Sequence, residues 1–210
     1  MAAIITSKFR LDTTNKFVNS LSDNQFYMAL GRPNAWTDDS VPTTPYENDY
    51  TSHTLWENMF AMKKIASTDI VHSATRRLWV SGTTYVEYDD QDTNIESKAY
   101  FVISANNNVY MCLKAGSGAS TTNPDDTGVQ TSDGYIWKYM YTVPTADVTK
   151  FLTTSFIPVR HIKEAPAGGA DSALTNQWAV QGNAVDGAIY NMKITNAGTG
   201  YTSAPTITIS

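Results

Sequence analysis

One stretch constrains the fold of this chain more than any other, an alternating run of large aromatic side chains over residues 133–144, which opens with an Asp-Gly turn and closes with a proline. Alternation places every second residue on the same side of an extended chain. The residues that share one side are Tyr135, Trp137, Tyr139, Tyr141 and Val143. Each large ring can remove about 150–250 Å² from water, which is about 4–6 kcal/mol as an upper bound. The stretch therefore predicts a central strand, with Tyr135, Trp137, Tyr139 and Tyr141 as core anchors.

Other patterns predict further strands. Residues 99–104 and 109–113 are apolar runs that flank an asparagine-rich turn, which is typical of a β-hairpin. Short runs with β-type composition occupy six more ranges, which are 4–10, 25–31, 63–65, 69–72, 79–88 and 155–160. The last of these contains Pro158, and because proline cannot donate to a central ladder, we expect an edge strand there.

Three short helices are also predicted. The clearest begins at Thr51 or Ser52, and its apolar residues recur at helical spacing. These residues are Leu55, Trp56, Met59, Phe60 and Met62. We expect this helix to pack on the core with Trp56 as an anchor, the alternative being that it binds a groove of a partner. The other two helices cover residues 12–21, where Phe17 and Leu21 share a face, and residues 145–152.

These elements predict a mainly β protein, namely an antiparallel β-sandwich with two or three short helices in side loops. The run Ala-Pro-Ala-Gly-Gly-Ala at residues 165–170 is the one plausible boundary. We therefore predict a β-sandwich domain over residues 1–164, a linker over 165–170 and a small C-terminal β module over 171–210. The module contains alternating runs at 188–195 and 205–209, and it can also be read as an incomplete repeat.

Composition argues against several classes of partner. The net charge of -5 and the lack of any basic cluster larger than two residues disfavour a nucleic-acid binder. No apolar window reaches the 18 residues of a membrane span, and the N-terminus lacks the pattern of a signal peptide. Cys112 is the one cysteine, and we expect it to be a buried apolar residue rather than a reactive thiol. We expect neither nucleic acid nor membrane as a partner, and synthesis in a cytosol-like compartment.

No motif for chemistry is complete. The acidic residues of the segment 89–96 alternate like calcium ligands, but Ile95 replaces the glycine of the calcium loop and Phe101 its last ligand. The glycines of residues 116–121 lack the lysine of a phosphate-binding loop. The three histidines have no partners at metal-ligand spacing, and no serine lies in a nucleophile turn. We therefore expect no enzyme activity, cofactor, metal site or small-molecule substrate.

A polar segment over residues 32–50 carries the candidate interface. It is long, poor in periodicity and rich in proline, which is typical of a surface excursion. Its candidate contact residues are Trp36, Pro42, Pro45 and Tyr46, to which we add Tyr201 from the C-terminal module. Exposed aromatic rings either anchor protein interfaces or stack on sugars, so assembly and glycan binding are both open. A hydrolase is the third hypothesis, and it would need converging carboxylates or a nucleophile in a cleft.

Seven short patterns follow one another between residue 4 and about residue 160. They are residues 5–10 (ITSKFR), 17–20 (FVNS), 31–36 (GRPNAW), 55–59 (LWENM), 76–79 (RRLW), 109–113 (VYMCL) and 133–139 (DGYIWKY). In this order they resemble the baseplate wedge subunit of contractile-tailed, T4-like phages, most closely the shorter-looped versions of cyanobacterial phages. The run at residues 198–207 looks instead like a small β bead that recurs in phage tail and neck proteins.

The resemblance implies a fold and a function. It implies a β-sandwich with helices in side loops, no catalytic activity, a homodimer, and docking onto other baseplate wedge proteins. We accordingly expect a structural component of the virion tail baseplate, assembled in the host cytoplasm, that links neighbouring wedge proteins and relays the switch that triggers tail contraction. The alternative is a glycan-binding tail or fibre module, in which Trp36 and Tyr46 stack on sugars. The family usually continues beyond Gly200–Tyr201 into further strands, which leaves open whether the dimer contact is kept.

Overall fold

The computed structural model describes residues 7–31, 35, 37–38, 40–41, 53, 56–127, 131–189, 192, 196, 198–206 and 208. The chain divides into two compact units, Met1–Val71 and His72–Ser210. The predicted linker at residues 165–170 lies inside the second unit. A separate C-terminal module over residues 171–210 stays a prediction. No helix among these residues is long and apolar enough to cross a membrane.

The first unit contains one helix and one pair of strands. Helix α1 covers Ser7–Asp23, strand β1 covers Phe26–Gly31, and strand β2 covers Met59–Ile65. The two strands pair antiparallel, from Phe26 opposite Ile65 to Gly31 opposite Met59, with a bulge beside Gly31. Phe17 of α1 contacts Phe26 edge to face, with 5.4 Å between the ring centroids. One turn of 3₁₀ helix, Ser67–Asp69, follows β2.

The N-terminal strand prediction is wrong for Ser7–Arg10, because α1 already begins at Ser7. The hydroxyl of Thr13 donates to the carbonyl oxygen of Phe9 at 2.9 Å, and the Lys16 ammonium pairs with Asp12 one turn earlier at 2.8 Å. These contacts at a spacing of four stabilise a helix and are not available to a strand. Residues 4–6 lie outside the described residues.

The predicted amphipathic helix is wrong from Met59 onward, because Met59–Ile65 forms strand β2. An apolar run of four to eight residues is compatible with a buried helix or with a strand, and here the apolar strand β1 supplies a pairing partner. Trp56, expected to be a core anchor of that helix, is 65% exposed. Thr51, Ser52 and Leu55 lie outside the described residues.

The second unit is built on a three-stranded antiparallel sheet. Its strands are β4 (Phe101–Ile103), β5 (Asn108–Lys114) and β6 (Ile136–Thr142), in the order β4-β5-β6. The predicted hairpin is confirmed as β4 and β5, and Asn107 in its turn takes a positive φ of 63°. The aromatic stretch does form strand β6. Its predicted central position is wrong, because β5 lies in the middle of the sheet.

A β-bulge in β6 sends its side chains to both faces of the sheet. Tyr139 and Tyr141 lie opposite consecutive residues of β5, so that Met140 is the extra residue. One buried cluster contains Tyr85, Val102, Tyr110, Cys112, Tyr135 and Trp137, with Tyr139 packed against it. The other contains Ile103, Val109, Val143 and Ile157, with Met140 and Tyr141 packed against it. The prediction that all five alternating residues share one face is therefore wrong for Tyr141 and Val143.

A second, two-stranded sheet covers one face of the first. Strand β3 (His72–Thr75) pairs antiparallel with β7 (Phe156–Val159), and Ala74 and Ile157 belong to the second cluster. The chain then changes sheets, because the carbonyl oxygen of Arg77 accepts a hydrogen bond from the backbone of Ile103 in β4. Strands that switch sheets form the corners of sandwiches. The mainly β, antiparallel, sandwich-like fold is thus confirmed.

Three short helices complete the second unit. They are α2 (Pro124–Thr127), α3 (Thr145–Phe151) and α4 (Ser172–Gly182). Helix α3 confirms the helix predicted at 145–152. Helix α4 packs against β6 and is capped by Asp171, so the all-β expectation is wrong for residues 172–182. Much of the two predicted C-terminal strands lies outside the described residues.

Candidate protein interface

The sequence-predicted contact residues are only partly visible. Trp36, Pro42, Pro45 and Tyr46 lie outside the described residues, so their interface role and any stacking on sugars stay predictions. Tyr201 is 65% exposed in a glycine-rich turn, and its ring lies only 3.0 Å from where a Cβ on Gly198 would sit.

The predicted core anchors have different environments. Tyr135 and Trp137 are fully buried and stack on each other, with 5.7 Å between ring centroids and an interplanar angle of 15°. Tyr139 and Tyr141 are partly buried on opposite faces of the sheet. Burial raises the pKa of the Tyr141 hydroxyl, which donates to the carbonyl oxygen of Pro158 at 3.0 Å. Trp56 is not buried, as described above.

An apolar surface that the sequence patterns did not predict lies on the β1–β2 arm, by which we mean Phe26–Gly31 and Met59–Ile65. Its exposed large apolar side chains are Tyr27 (54%), Met28 (52%), Leu30 (51%), Phe60 (66%) and Met62 (53%). A strand with one buried and one solvated face alternates apolar and polar residues, whereas a continuous apolar run is typical of strands covered on both faces. The runs FYMALG and MFAM were the available signal, and they indicate an arm that is covered in its working state.

Each face of the arm is mostly apolar and carries one lysine, Lys63 opposite Met28 and Lys64 opposite Tyr27. Phe26, Met28 and Leu30 share one face, and Tyr27 and Ala29 share the other. On the second face Met62 lies opposite Ala29. Among the described residues, α1 covers the Phe26 end of the first face through the contact with Phe17. Such a strand pair is typical of a sheet that is covered by other protein layers on both faces.

Helix α1 extends this apolar surface with three more exposed side chains, Phe9, Leu11 and Phe17. Large apolar side chains cover about 150–250 Å² each, so eight that are about half exposed leave roughly 600–1,000 Å² accessible. The largest apolar patch on a typical monomer is about 300–600 Å², whereas one side of a standard interface is about 800 Å². The first unit thus exposes an apolar area typical of an interface.

The charges of the arm all lie on one strand. Lys63 and Lys64 are on β2, and neither strand carries an acidic residue. The Lys63 ammonium pairs with the carboxylate of Asp69 at 2.7 Å. Strand β1 has neither a charge nor a proline, so its outer edge lacks the residues that usually prevent strand pairing.

The polar clusters of the second unit are occupied by structural hydrogen bonds. The Asp125 carboxylate accepts from Asn106, Asn108 and Tyr110 at 2.8–3.0 Å, which fixes α2 to the β4–β5 hairpin. The Asp133 carboxylate accepts from Ser120 and from the backbone of Thr121 at 2.8–3.0 Å. Partial burial alone would raise the pKa of Asp133, but these and further hydrogen bonds outweigh it and lower the pKa.

Neither a nucleophile nor a metal cluster is evident in the part of the chain that the structure describes. Cys112 is buried, and burial raises the pKa of its thiol to about 12, which keeps it protonated and unreactive. No group of three His, Cys, Asp or Glu residues among the described positions could hold a metal ion.

Comparison with known proteins finds similarity to a phage baseplate protein. No family model matches the chain. The chain is similar to the baseplate wedge protein gp8 of Enterobacteria phage T4, with 24% identity over an alignment of 216 residues that covers 78% of this chain. The alignment covers 63% of the T4 protein, so this chain spans less than two thirds of the length of that relative.

Proposed function

We propose that this protein is a structural subunit of a phage tail baseplate wedge, of the shorter-looped kind found in phages of cyanobacteria. The similarity to the T4 wedge protein along 78% of the chain carries the proposal. The apolar β1–β2 arm supports it, because a subunit that is permanently covered by neighbours can expose such a surface before assembly.

The proposal has several finer parts. The subunit links neighbouring wedge proteins, pairs with a second copy of itself, and relays the switch that triggers tail contraction, without catalysing a reaction. It is assembled in the host cytoplasm and resides in the virion tail baseplate. The buried, protonated thiol of Cys112 and the occupied carboxylates of Asp125 and Asp133 are consistent with a purely structural role. Switching is expected to occur by rearrangement of contacts between subunits.

Co-assembly with the other wedge proteins of the same phage tests this function. The purified full chain is mixed with each of them at micromolar concentration, and complexes are detected by size-exclusion chromatography with light scattering. We expect at least one complex larger than the chain itself. A chain that remains monomeric and binds no wedge protein overturns the proposal.

Matched surface variants sharpen the experiment. Phe60 of the arm and Val185 of the second unit are 66% and 67% exposed, so neither substitution opens a cavity in the core. We expect Phe60→Ser to weaken co-assembly and Val185→Ser to leave it unchanged. Trp36→Ala and Tyr46→Ala are expected to weaken it as well. Circular dichroism confirms that each variant is folded.

A further inference from the structure

We infer that a second copy of this chain docks edge to edge on β1, so that two β1–β2 arms form one four-stranded antiparallel sheet in the order β2-β1-β1-β2. The inference rests on the proposed pairing of two copies, and it adds the surface, the register and the symmetry of that pairing.

The outer edge of β1 is open to a strand. Among the described residues β1 pairs with β2 alone, so backbone N–H and C=O groups on its other edge point away from the arm. A two-stranded ribbon is marginally stable in water, and a third or fourth strand supplies the missing backbone partners. An uncharged, proline-free strand of six mostly apolar residues is the sequence type that joins another strand readily.

The distribution of charge favours a second copy on this edge and no further copies beyond it. Pairing β1 with β1 brings no charged residue next to another, because the two lysines of the arm are on β2. Lys63 lies opposite Met28, so the Lys63 side chains of two copies are separated by three strand spacings, or about 14 Å. That separation exceeds the screening length of about 8 Å at physiological salt. The lysines then lie on the outer strands, where they hinder further strand addition.

Symmetry and the bulge select the register. When a two-fold axis relates two antiparallel edge strands, each residue lies opposite a residue that points to the same face of the sheet. The axis must therefore pass beside a residue and not between two residues, and the residues at the middle of β1 are Met28 and Ala29. An axis at Ala29 would require Gly31, which lies at the bulge and is out of regular register. An axis at Met28 uses residues 26–30 only. It places Met28 opposite Met28 of the second copy, and Phe26 opposite Leu30 of the second copy.

This register also provides cover for the exposed face. Phe17 of α1 already contacts Phe26, and Leu30 of the second copy would lie beside Phe26 in the new sheet. In this register the side chains of residues 26–30 of one copy lie beside those of the second copy along the shared edge.

Cysteine cross-linking of the full chain tests the register. Opposed residues in antiparallel strands have Cα atoms about 4.5–5.5 Å apart, which suits a disulfide, whereas residues one register step away lie beyond its reach. Under mild oxidation we expect Met28→Cys to form a covalent dimer, and at least tenfold more of it than Ala29→Cys. Val185→Cys controls for random collision because Val185 is exposed, and the wild type controls for the buried Cys112.

A charge placed on the edge tests the same contact without cross-linking. Met28 and Met62 are 52% and 53% exposed, but only Met28 is on the pairing strand. By analytical ultracentrifugation we expect Met28→Lys to weaken dimerisation at least tenfold and Met62→Lys to weaken it much less. A wild-type chain that is monomeric overturns the inference, and so does a dimer that survives Met28→Lys and shows no cross-link at Met28→Cys. A dimer that survives Met28→Lys and lacks the Met28→Cys cross-link, but still joins a wedge complex, overturns the inference and leaves the proposed function standing. A β1-linked dimer that joins no wedge complex supports the inference and overturns the proposed function.

Discussion

Replacing Trp137 with alanine is expected to destabilise the second unit by about 3–5 kcal/mol. Trp137 is fully buried, stacks on Tyr135, and contacts Tyr85 edge to face with 5.4 Å between ring centroids. Burying about 250 Å² at about 25 cal/mol per Å² gives an upper bound of about 6 kcal/mol. The indole N–H of Trp137 has no hydrogen-bond partner among the described residues, so replacing the side chain breaks no hydrogen bond. The expected loss in the free energy of unfolding therefore lies below this upper bound.

Urea unfolding followed by circular dichroism measures this loss as a change in the free energy of unfolding. Trp56→Ala is the matched control, because Trp56 is 65% exposed and its truncation is expected to change stability by no more than about 0.5 kcal/mol. Trp137→Phe keeps a ring in the cluster and is expected to cost less than Trp137→Ala. The reasoning is refuted if Trp137→Ala costs under about 1 kcal/mol, or if Trp56→Ala costs as much as Trp137→Ala.

Three further predictions concern the loops around this cluster. A Cβ on Gly116 would lie 2.6 Å from the carbonyl oxygen of Asp133 and 2.8 Å from the Tyr135 ring, so Gly116→Ala is expected to lower the melting temperature in calorimetry, unlike Gly118→Ala, which has open space. Because the folded-state pKa of Asp133 lies below the ordinary 3.8, the contribution of its carboxylate to stability is present above pH 3.8 and is lost as pH falls through the folded pKa. Asp133→Asn is therefore expected to lower stability at pH 7 and to make the urea midpoint depend less on pH in acid. Cys112, with a pKa raised to about 12, is expected to react with a thiol reagent at pH 8 only after denaturation, and rapid labelling of the native chain would contradict its burial.

Alternation predicted the strand at residues 136–142 because the pattern is long and its rings are large. It could not predict the bulge, because aromatic residues continue to alternate through Met140 while the pairing with β5 gains one residue. Whether Tyr141 stays with Tyr139 or moves to the other face depends on the register of a neighbouring strand, which is a property of the fold and not of the segment. The fold class was therefore predictable from local pattern, and the division of rings between two clusters was not.

The helix prediction for residues 59–62 of the arm is wrong for a related reason, whereas the strand predicted at residues 25–31 agrees with β1. Met59, Phe60 and Met62 fit a helical stripe when they are joined to Trp56, and they fit a strand when a partner such as β1 is available. The sequence patterns instead favour Trp36 and Tyr46 as interface residues, because the polar composition of residues 32–50 indicates an exposed segment. The arm exposes its apolar residues within a regular strand pair, and that combination becomes visible only once the pairing of β1 with β2 is known.

Side chains of the second unit protect the backbone beyond β7, whereas β1 of the first unit lacks such protection among the described residues, and this difference supports the inferred contact at β1. Beyond β7, the backbone N–H of Ile162 donates to the side-chain oxygen of Gln181 at 3.1 Å, and the Gln181 amide donates back to the carbonyl oxygen of Ile162 at 2.9 Å. The amide of Gln177 donates to the carbonyl oxygen of Arg160 at 2.5 Å. Side chains of α4 thus take the place of a neighbouring strand. Among the described residues β1 has no such cover and no charge, and an unprotected apolar edge is a liability for a free protein. The inferred contact with a second copy removes that liability.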